Sequence, residues 1–330
     1  MKKKTLSKPL KTIYVFSSTT ENQVPDKSNV VLVNLAIFNS KGAVQLHEPS
    51  AQLKTLISGW QKDGKCVLVS LGGDAKEPQD WHYFYDTNSP AAFKAFTEGL
   101  SALQNEYGFD GFDLDVEGKS VLTLDDAKQF AKLGTRLRDK FPDTIIALTV
   151  PANNVLTPGA YWTDFIGGLE PPHDKGWNVM TVIAHDKAEF DRIYDFVQIM
   201  AYDSPSDTRG KHSQGSAVWL AHVYRDFAQP CTYKFNTGIK QAGAEAYNDY
   251  PGIATTKLVL GVTASDGKPG YAEPIEIGKV RAELATLAKE HSESAAALDL
   301  KLGGGMVWRA DSDKGNQNYA VSTALYALLK

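Results

Sequence analysis

The sequence predicts an α/β fold, a single (β/α)8 TIM barrel, on three observations. Eight short apolar runs recur along the chain, amphipathic stretches lie between them, and no composition break or linker divides it. The runs are residues 13–16, 30–38, 66–71, 111–116, 145–150, 196–202, 258–262 and 305–308. β-branched and apolar residues fill most of them, as expected of strands covered on both faces. Helical spacing is clearest at 90–104, through Phe93, Phe96, Leu100 and Leu103, and at 125–140, through Ala127, Phe130, Leu133 and Leu137. Residues 274–291 and 319–329 are further amphipathic segments. Strand and helix alternating in this way give a barrel. An open doubly wound sheet is the alternative, but no glycine-rich phosphate loop follows the first strand. The segments 151–191 and 203–257 exceed what one helix needs, so extended loops after the fifth and sixth strands are expected over the top rim. Residues 264–302 hold roughly one helix, so 1–330 reads as one domain.

Composition narrows the partners. The formal net charge of the 330 residues is -4, which gives no reason to expect nucleic acid or an anionic membrane surface. The basic start, Lys2 to Lys4, reads as a solvated terminus. Cys66 and Cys231 suggest neither a disulfide framework nor a zinc site, and unpaired thiols fit a reducing compartment. Ser7, Lys8, Pro9 and Lys11 interrupt any apolar leader, and the first apolar run is too short to span a membrane. The expected location is the cytoplasm, or the outside by a non-classical route, or by secretion if a leader was removed.

The sharpest signal is residues 110–117, Asp-Gly-Phe-Asp-Leu-Asp-Val-Glu. Side chains alternate along a strand, so Asp113, Asp115 and Glu117 share one face with Gly111. Phe112, Leu114 and Val116 share the other, which packs on helices. Three acids on a barrel's inner face are costly to bury unless paired or solvated, and sites sit at the C-terminal ends of barrel strands. Neighbouring carboxylates raise one another's pKa, which yields an acid still protonated near neutral pH. A hard-cation site is a weaker reading, because such sites recruit carboxylates from several segments and no histidine accompanies these. No metal and no cofactor is expected.

These residues resemble glycoside hydrolase family 18, the chitinases and endo-β-N-acetylglucosaminidases. Residues 110–117 match its fourth-strand signature D-G-x-D-x-D-x-E in full. Ser70-Leu71-Gly72-Gly73 is similar to S-x-G-G at the end of strand three, and Gln198-Ile199-Met200-Ala201-Tyr202-Asp203 to Q-x-M-x-Y-D on strand six. Gly304-Gly305-Met306-Val307-Trp308 is similar to the strand-eight segment ending in Trp. The resemblance implies retaining, substrate-assisted hydrolysis of β-linked N-acetylglucosamine polymers such as chitin or N-acetyl-chitooligosaccharides. It gives Glu117 the role of proton donor. Asp115 holds the acetamido N–H, Asp113 shares a proton with Asp115, and Tyr202 donates to the acetamido oxygen. Asp203 and Trp308 bind the same sugar. Gln198 and Met200, on the face of Tyr202, join the substrate-binding set. Ser70, Gly72 and Gly73 read as barrel-shaping residues that make room for the acids.

An aromatic often follows S-x-G-G in the family, whereas Asp74 stands here. Trp81 is the nearest replacement as a sugar platform, and Tyr161, Trp162 and Trp177 are others. Without a large insertion the groove is expected to be shallow, which favours cleavage inside chains. An endo-β-N-acetylglucosaminidase acting on N-glycan cores is the alternative enzyme. A chitin-binding lectin is disfavoured, because Glu117, Asp115 and Tyr202 are all present. A monomer is expected, with a place in a larger secreted toxin-like assembly as the alternative.

Overall fold

The structure, a computed structural model, describes residues 4–73, 80–85, 90–117, 124–155, 179–204, 212–232, 244–265, 267, 269–292 and 300–330. Its strands are β1 (Leu10–Phe16), β2 (Val30–Phe38), β3 (Val44–Leu46), β4 (Cys66–Gly72), β5 (Gly111–Asp115), β6 (Ile145–Pro151), β7 (Phe196–Met200), β8 (Cys231–Thr232), β9 (Asp249–Tyr250), β10 (Leu258–Thr263) and β11 (Gly304–Trp308). Eight of them run parallel in the order β1-β2-β4-β5-β6-β7-β10-β11, and β11 returns to β1, so the sheet closes. This is the (β/α)8 barrel. Each predicted run falls on one of these eight strands. β3 adds an antiparallel edge to β2, and β8 pairs with β9 outside the barrel.

The helices are α1 (Leu53–Lys62), α2 (Pro90–Tyr107), α3 (Leu124–Lys140), α4 (Val179–Ile183), α5 (Lys187–Ile193), α6 (Ala217–Ala228), α7 (Pro274–Ser292), α8 (Ala310–Gln317) and α9 (Ala320–Ala327). α2, α3 and α7 fall where the spacing placed them. The segment 203–257 holds α6 and the β8–β9 pair, and 151–191 ends in α4 and α5. The stretch expected at 319–329 starts one residue late, because Asn318 and Tyr319 both take left-handed backbone (φ 47° and 65°).

Packing has two parts. The larger core lies between barrel and helices, and a smaller one lies inside the barrel. Leu10, Val30, Cys66, Ile145 and Phe196, at or near the starts of their strands, fill its lower end. Polar residues sit above them, toward the strand ends. Two aspartates staple the lower rim. Asp110 Oδ2 accepts from Val67 N at 2.8 Å and Gln61 Nε2 at 3.2 Å, and Asp195 Oδ2 accepts from Ile146 N at 3.0 Å and Arg138 Nη2 at 2.8 Å. The first aspartate of 110–117 is therefore structural, as its place on the Phe112 face requires.

Candidate active site

The acids of β5 project into the upper barrel. Asp113 is fully buried, Asp115 is 3% exposed, and Glu117, two residues past the strand, is half-buried. Asp113 lies in register with Ser70 of β4 and Ala147 of β6. Its Oδ2 accepts from Tyr14 Oη at 2.7 Å and Ser70 Oγ at 2.8 Å, and its Oδ1 from Thr149 Oγ1 at 2.7 Å. Burial pushes this carboxyl up, while the donors Tyr14, Thr149 and Ser70, and the Gln198 carboxamide beside them, oppose the shift.

Asp115 is different. Burial, then the charges of Glu117 and Asp113, then a hydrogen bond with Glu117, hold its carboxyl well above the usual carboxylate range. Both carboxyls are pushed up, Asp115 further than Asp113, because hydroxyl donors surround Asp113. Asp115 is thus tied to Glu117 by a hydrogen bond and to Asp113 by charge. Asp115 Oδ1 is buried and accepts no hydrogen bond from the described residues.

Gly72 and Gly73 make this arrangement possible. Both have positive φ (99° and 76°). A Cβ at Gly72 would lie 2.2 Å from the Asp115 carbonyl oxygen, and one at Gly73 would lie 3.2 Å from Asp115 Oδ2 and 3.8 Å from Glu117 Oε1. The S-x-G-G run therefore makes room for the acids, and its serine also hydrogen-bonds one of them.

Tyr202 follows β7, half-buried against the inner core. Burial first, then Glu117, Asp115, Asp113 and Asp203, push its hydroxyl well above the ordinary tyrosine range. It is therefore a protonated donor beside the acids. Asp203 is exposed, with φ 49°, and its N–H donates to Pro269 O at 2.9 Å. Trp308 is half-buried at the end of β11, with its ring centroid 5.1 Å from that of Tyr14 and 6.1 Å from that of Phe16. Met200 is 7% exposed in the same inner cluster.

Two expectations are corrected. Trp81 is fully buried, packed against Phe38, Phe96 and Phe130, and leaves no face for a sugar. Its Nε1 donates to the Asp115 carbonyl at 3.4 Å, so it supports the acidic strand from behind. Gln198 is also fully buried and bonds Thr12, Tyr14 and Thr149 rather than facing an opening. Asp74, Tyr161, Trp162 and Trp177 lie outside the described residues.

Sequence reasoning overlooked Tyr14, Thr149 and Thr12. Their signal was polar residues at inward positions of apolar strands: Thr12 and Tyr14 alternate in β1, and Thr149 pairs with Asp115 in register. What results is three carboxyl groups and a phenol converging at the mouth of a barrel, a set able to protonate a leaving oxygen and hold a polar substituent.

Known proteins share this architecture. A family GH18 chitinase from Chromobacterium violaceum superposes with a TM-score of 0.67 at 18% identity, over 98% of this chain and 85% of that one. A fungal endo-β-N-acetylglucosaminidase of family 18 superposes with a TM-score of 0.60 at 16% identity, over 96% and 98%. Exochitinase 1 of Streptomyces olivaceoviridis is 27% identical over 247 residues, 70% of this chain. The chain spans only 38% of the length of that relative. The family described as glycosyl hydrolases family 18 has a model that matches residues 11–268, most of the chain, and the chain belongs to this family of hydrolases.

Proposed function

We propose that this protein is a chitinase-type hydrolase that cleaves β-1,4-linked N-acetylglucosamine polymers within the chain, by retaining substrate-assisted catalysis. The observation that carries the reading is Asp115: a buried carboxyl, hydrogen-bonded to Glu117, with Oδ1 lacking a donor. A buried acceptor without a partner is costly. An acetamido N–H of the substrate is the donor that answers it.

The chemistry follows from the positions. Glu117 gives its proton to the glycosidic oxygen as the bond to the anomeric carbon breaks. The substrate's acetamido oxygen attacks that carbon from the opposite side and forms an oxazolinium. Asp115 accepts the acetamido N–H and stabilises the positive charge, and Tyr202 donates to the acetamido oxygen. Water then adds to the anomeric carbon, gives a proton to Glu117, and the configuration is retained. Trp308 offers an apolar floor for the ring, and Asp203 a further polar contact. The 264–302 segment has α7 as its described helix, which supports an open groove and cleavage inside chains.

Mass spectrometry of products from N-acetyl-chitooligosaccharides tests this. Wild type is expected to give short N-acetylglucosamine oligomers. Glu117→Gln keeps the shape without the proton and should lose roughly 10²–10⁴-fold in rate. Cleavage of N-glycan cores with chitooligosaccharides left intact would overturn the chitinase assignment.

A further inference from the structure

Gln198 is wholly buried, yet every polar atom of its side chain is engaged. Its Nε2 donates to Tyr14 Oη at 3.1 Å and Thr149 Oγ1 at 2.9 Å, and its Oε1 accepts from Thr12 Oγ1 at 2.7 Å. A hydroxyl has one proton to give. Those of Tyr14 and Thr149 go to the two oxygens of Asp113, each at 2.7 Å. Tyr14 Oη and Thr149 Oγ1 also lie 3.0 Å apart, so either could turn to the other and leave Asp113. The two protons of the Gln198 carboxamide prevent this by filling the acceptor side of both hydroxyls.

A carboxamide turned over would have the opposite effect. Its oxygen would draw the Tyr14 and Thr149 protons away, and Asp113 would need a proton of its own. The turned state would also strand two buried donors: one N–H of Gln198, and the Thr12 hydroxyl, which would accept from Nε2 and lose its own acceptor. Thr12 therefore fixes Gln198, and Gln198 fixes the hydroxyls.

We propose that Gln198 and Thr12 are positioning residues that hold the Tyr14 and Thr149 hydroxyl protons on Asp113 and so keep Asp113 the charged partner of Asp115. The consequence for catalysis rests on the proposed function: a charged Asp113 leaves the proton with Asp115, next to Glu117. The arrangement of protons is a property of the resting protein. The titratable groups around Asp113 are Tyr14 from β1, Asp115 from β5 and Tyr202 after β7, with Glu117 and Asp203 one step further out against Asp115 and Tyr202, while Ser70 contributes only a hydroxyl.

The test is a titration of the Asp113 carboxyl by ¹³C NMR in aspartate-labelled protein, with the resonance assigned by its loss in Asp113→Asn. Thr12→Val keeps the shape and removes the donor to Gln198. It is expected to raise the Asp113 midpoint by about one pH unit, and Thr12→Ser to restore it. Gln198→Glu, an acceptor toward both hydroxyls, should raise it further, and Thr12→Val decides alone if that variant does not fold. Unchanged midpoints in Thr12→Val, with at most a loss of thermal stability, would show a merely structural role and overturn the proposal. The titration needs no turnover, so a wild type that cleaves no chitooligosaccharide would defeat the proposed function and leave this result standing.

Discussion

In the proposed mechanism Asp115 concentrates the chemistry, and its burial carries the cost. A buried carboxyl whose folded pKa lies well above its unfolded one favours folding least when ionisation is demanded, so its penalty grows as pH rises above the ordinary aspartate range. Asp115→Asn removes that penalty. It is expected to raise Tm at neutral pH while lowering kcat by roughly 10²–10³-fold, as loss of a preorganised electrostatic partner does. Paired thermal melts and kinetics check both halves, and a variant that is less stable and fully active would contradict the account. Tyr202→Phe should lose activity in the same range with Tm little changed, because only a hydroxyl at the site mouth is removed. Alternation made these residues legible: in a strand, positions 113, 115 and 117 share a face. The partners of Asp113 were harder to see. Tyr14, Ser70 and Thr149 reach it from three strands, and single polar residues in apolar runs look like ordinary strand residues until the register is known.

At the scale of elements, the 3-10 turn Trp81–Phe84 braces the end of β5. Trp81 supplies the packing, and His82 pins the turn. His82 Nδ1 lies 2.5 Å from Asp80 Oδ1, and Nε2 lies 3.0 Å from Asp126 Oδ1 at the start of α3. The hydrogen bond to Asp126, then that to Asp80 and both charges, raise the imidazole to about 9 from 6.5 against partial burial. A raised folded pKa gives stability that is fully present below the unfolded value and is lost as pH climbs through the folded one. His82→Gln is therefore expected to lower Tm at pH 6, with the gap to wild type closing between pH 6.5 and about 9. A gap of constant size across that range, followed by calorimetry, would rule out the charged clamp. Trp81→Ala should cost about 3–5 kcal/mol in denaturant unfolding and reduce activity, whereas Trp81→Phe should keep most of both. The sequence placed Trp81 with the sugar because an aromatic was missing after Gly73. Its burial depends on Phe38, Phe96 and Phe130 from β2, α2 and α3, which no local pattern brings together.

For the whole molecule, the barrel was legible because eight apolar runs with helical stretches between them leave few other ways to bury both faces of a sheet. The short pieces escaped the reading. β8 and β9 have two residues each, and α4 and α5 are brief, so periodicity has little to act on. Closure depends on sequence-distant contacts. β1 pairs with both β2 and β11, and Tyr326 of α9 donates to the Thr12 carbonyl at 2.8 Å. Val321, Leu325 and Tyr326 are buried there. Truncation after Asn318 removes them and is expected to uncover the β1 and β11 surface they cover, broaden the thermal transition and raise dye binding to exposed apolar surface, whereas a sharp, unshifted melt would show that α9 is dispensable. The same closure brings Tyr14, the β5 acids, Tyr202 and Trp308 to one mouth.

The most direct test of the central claim, that the substrate's own acetamido group delivers the attack while Glu117 and Asp115 manage the protons, is the anomeric form of the first product. Proton NMR recorded during hydrolysis of an N-acetyl-chitooligosaccharide should show the β-anomer first, with the α-anomer growing only by mutarotation. An α-anomer at the outset would mean direct attack by water and would contradict the mechanism assigned to this site.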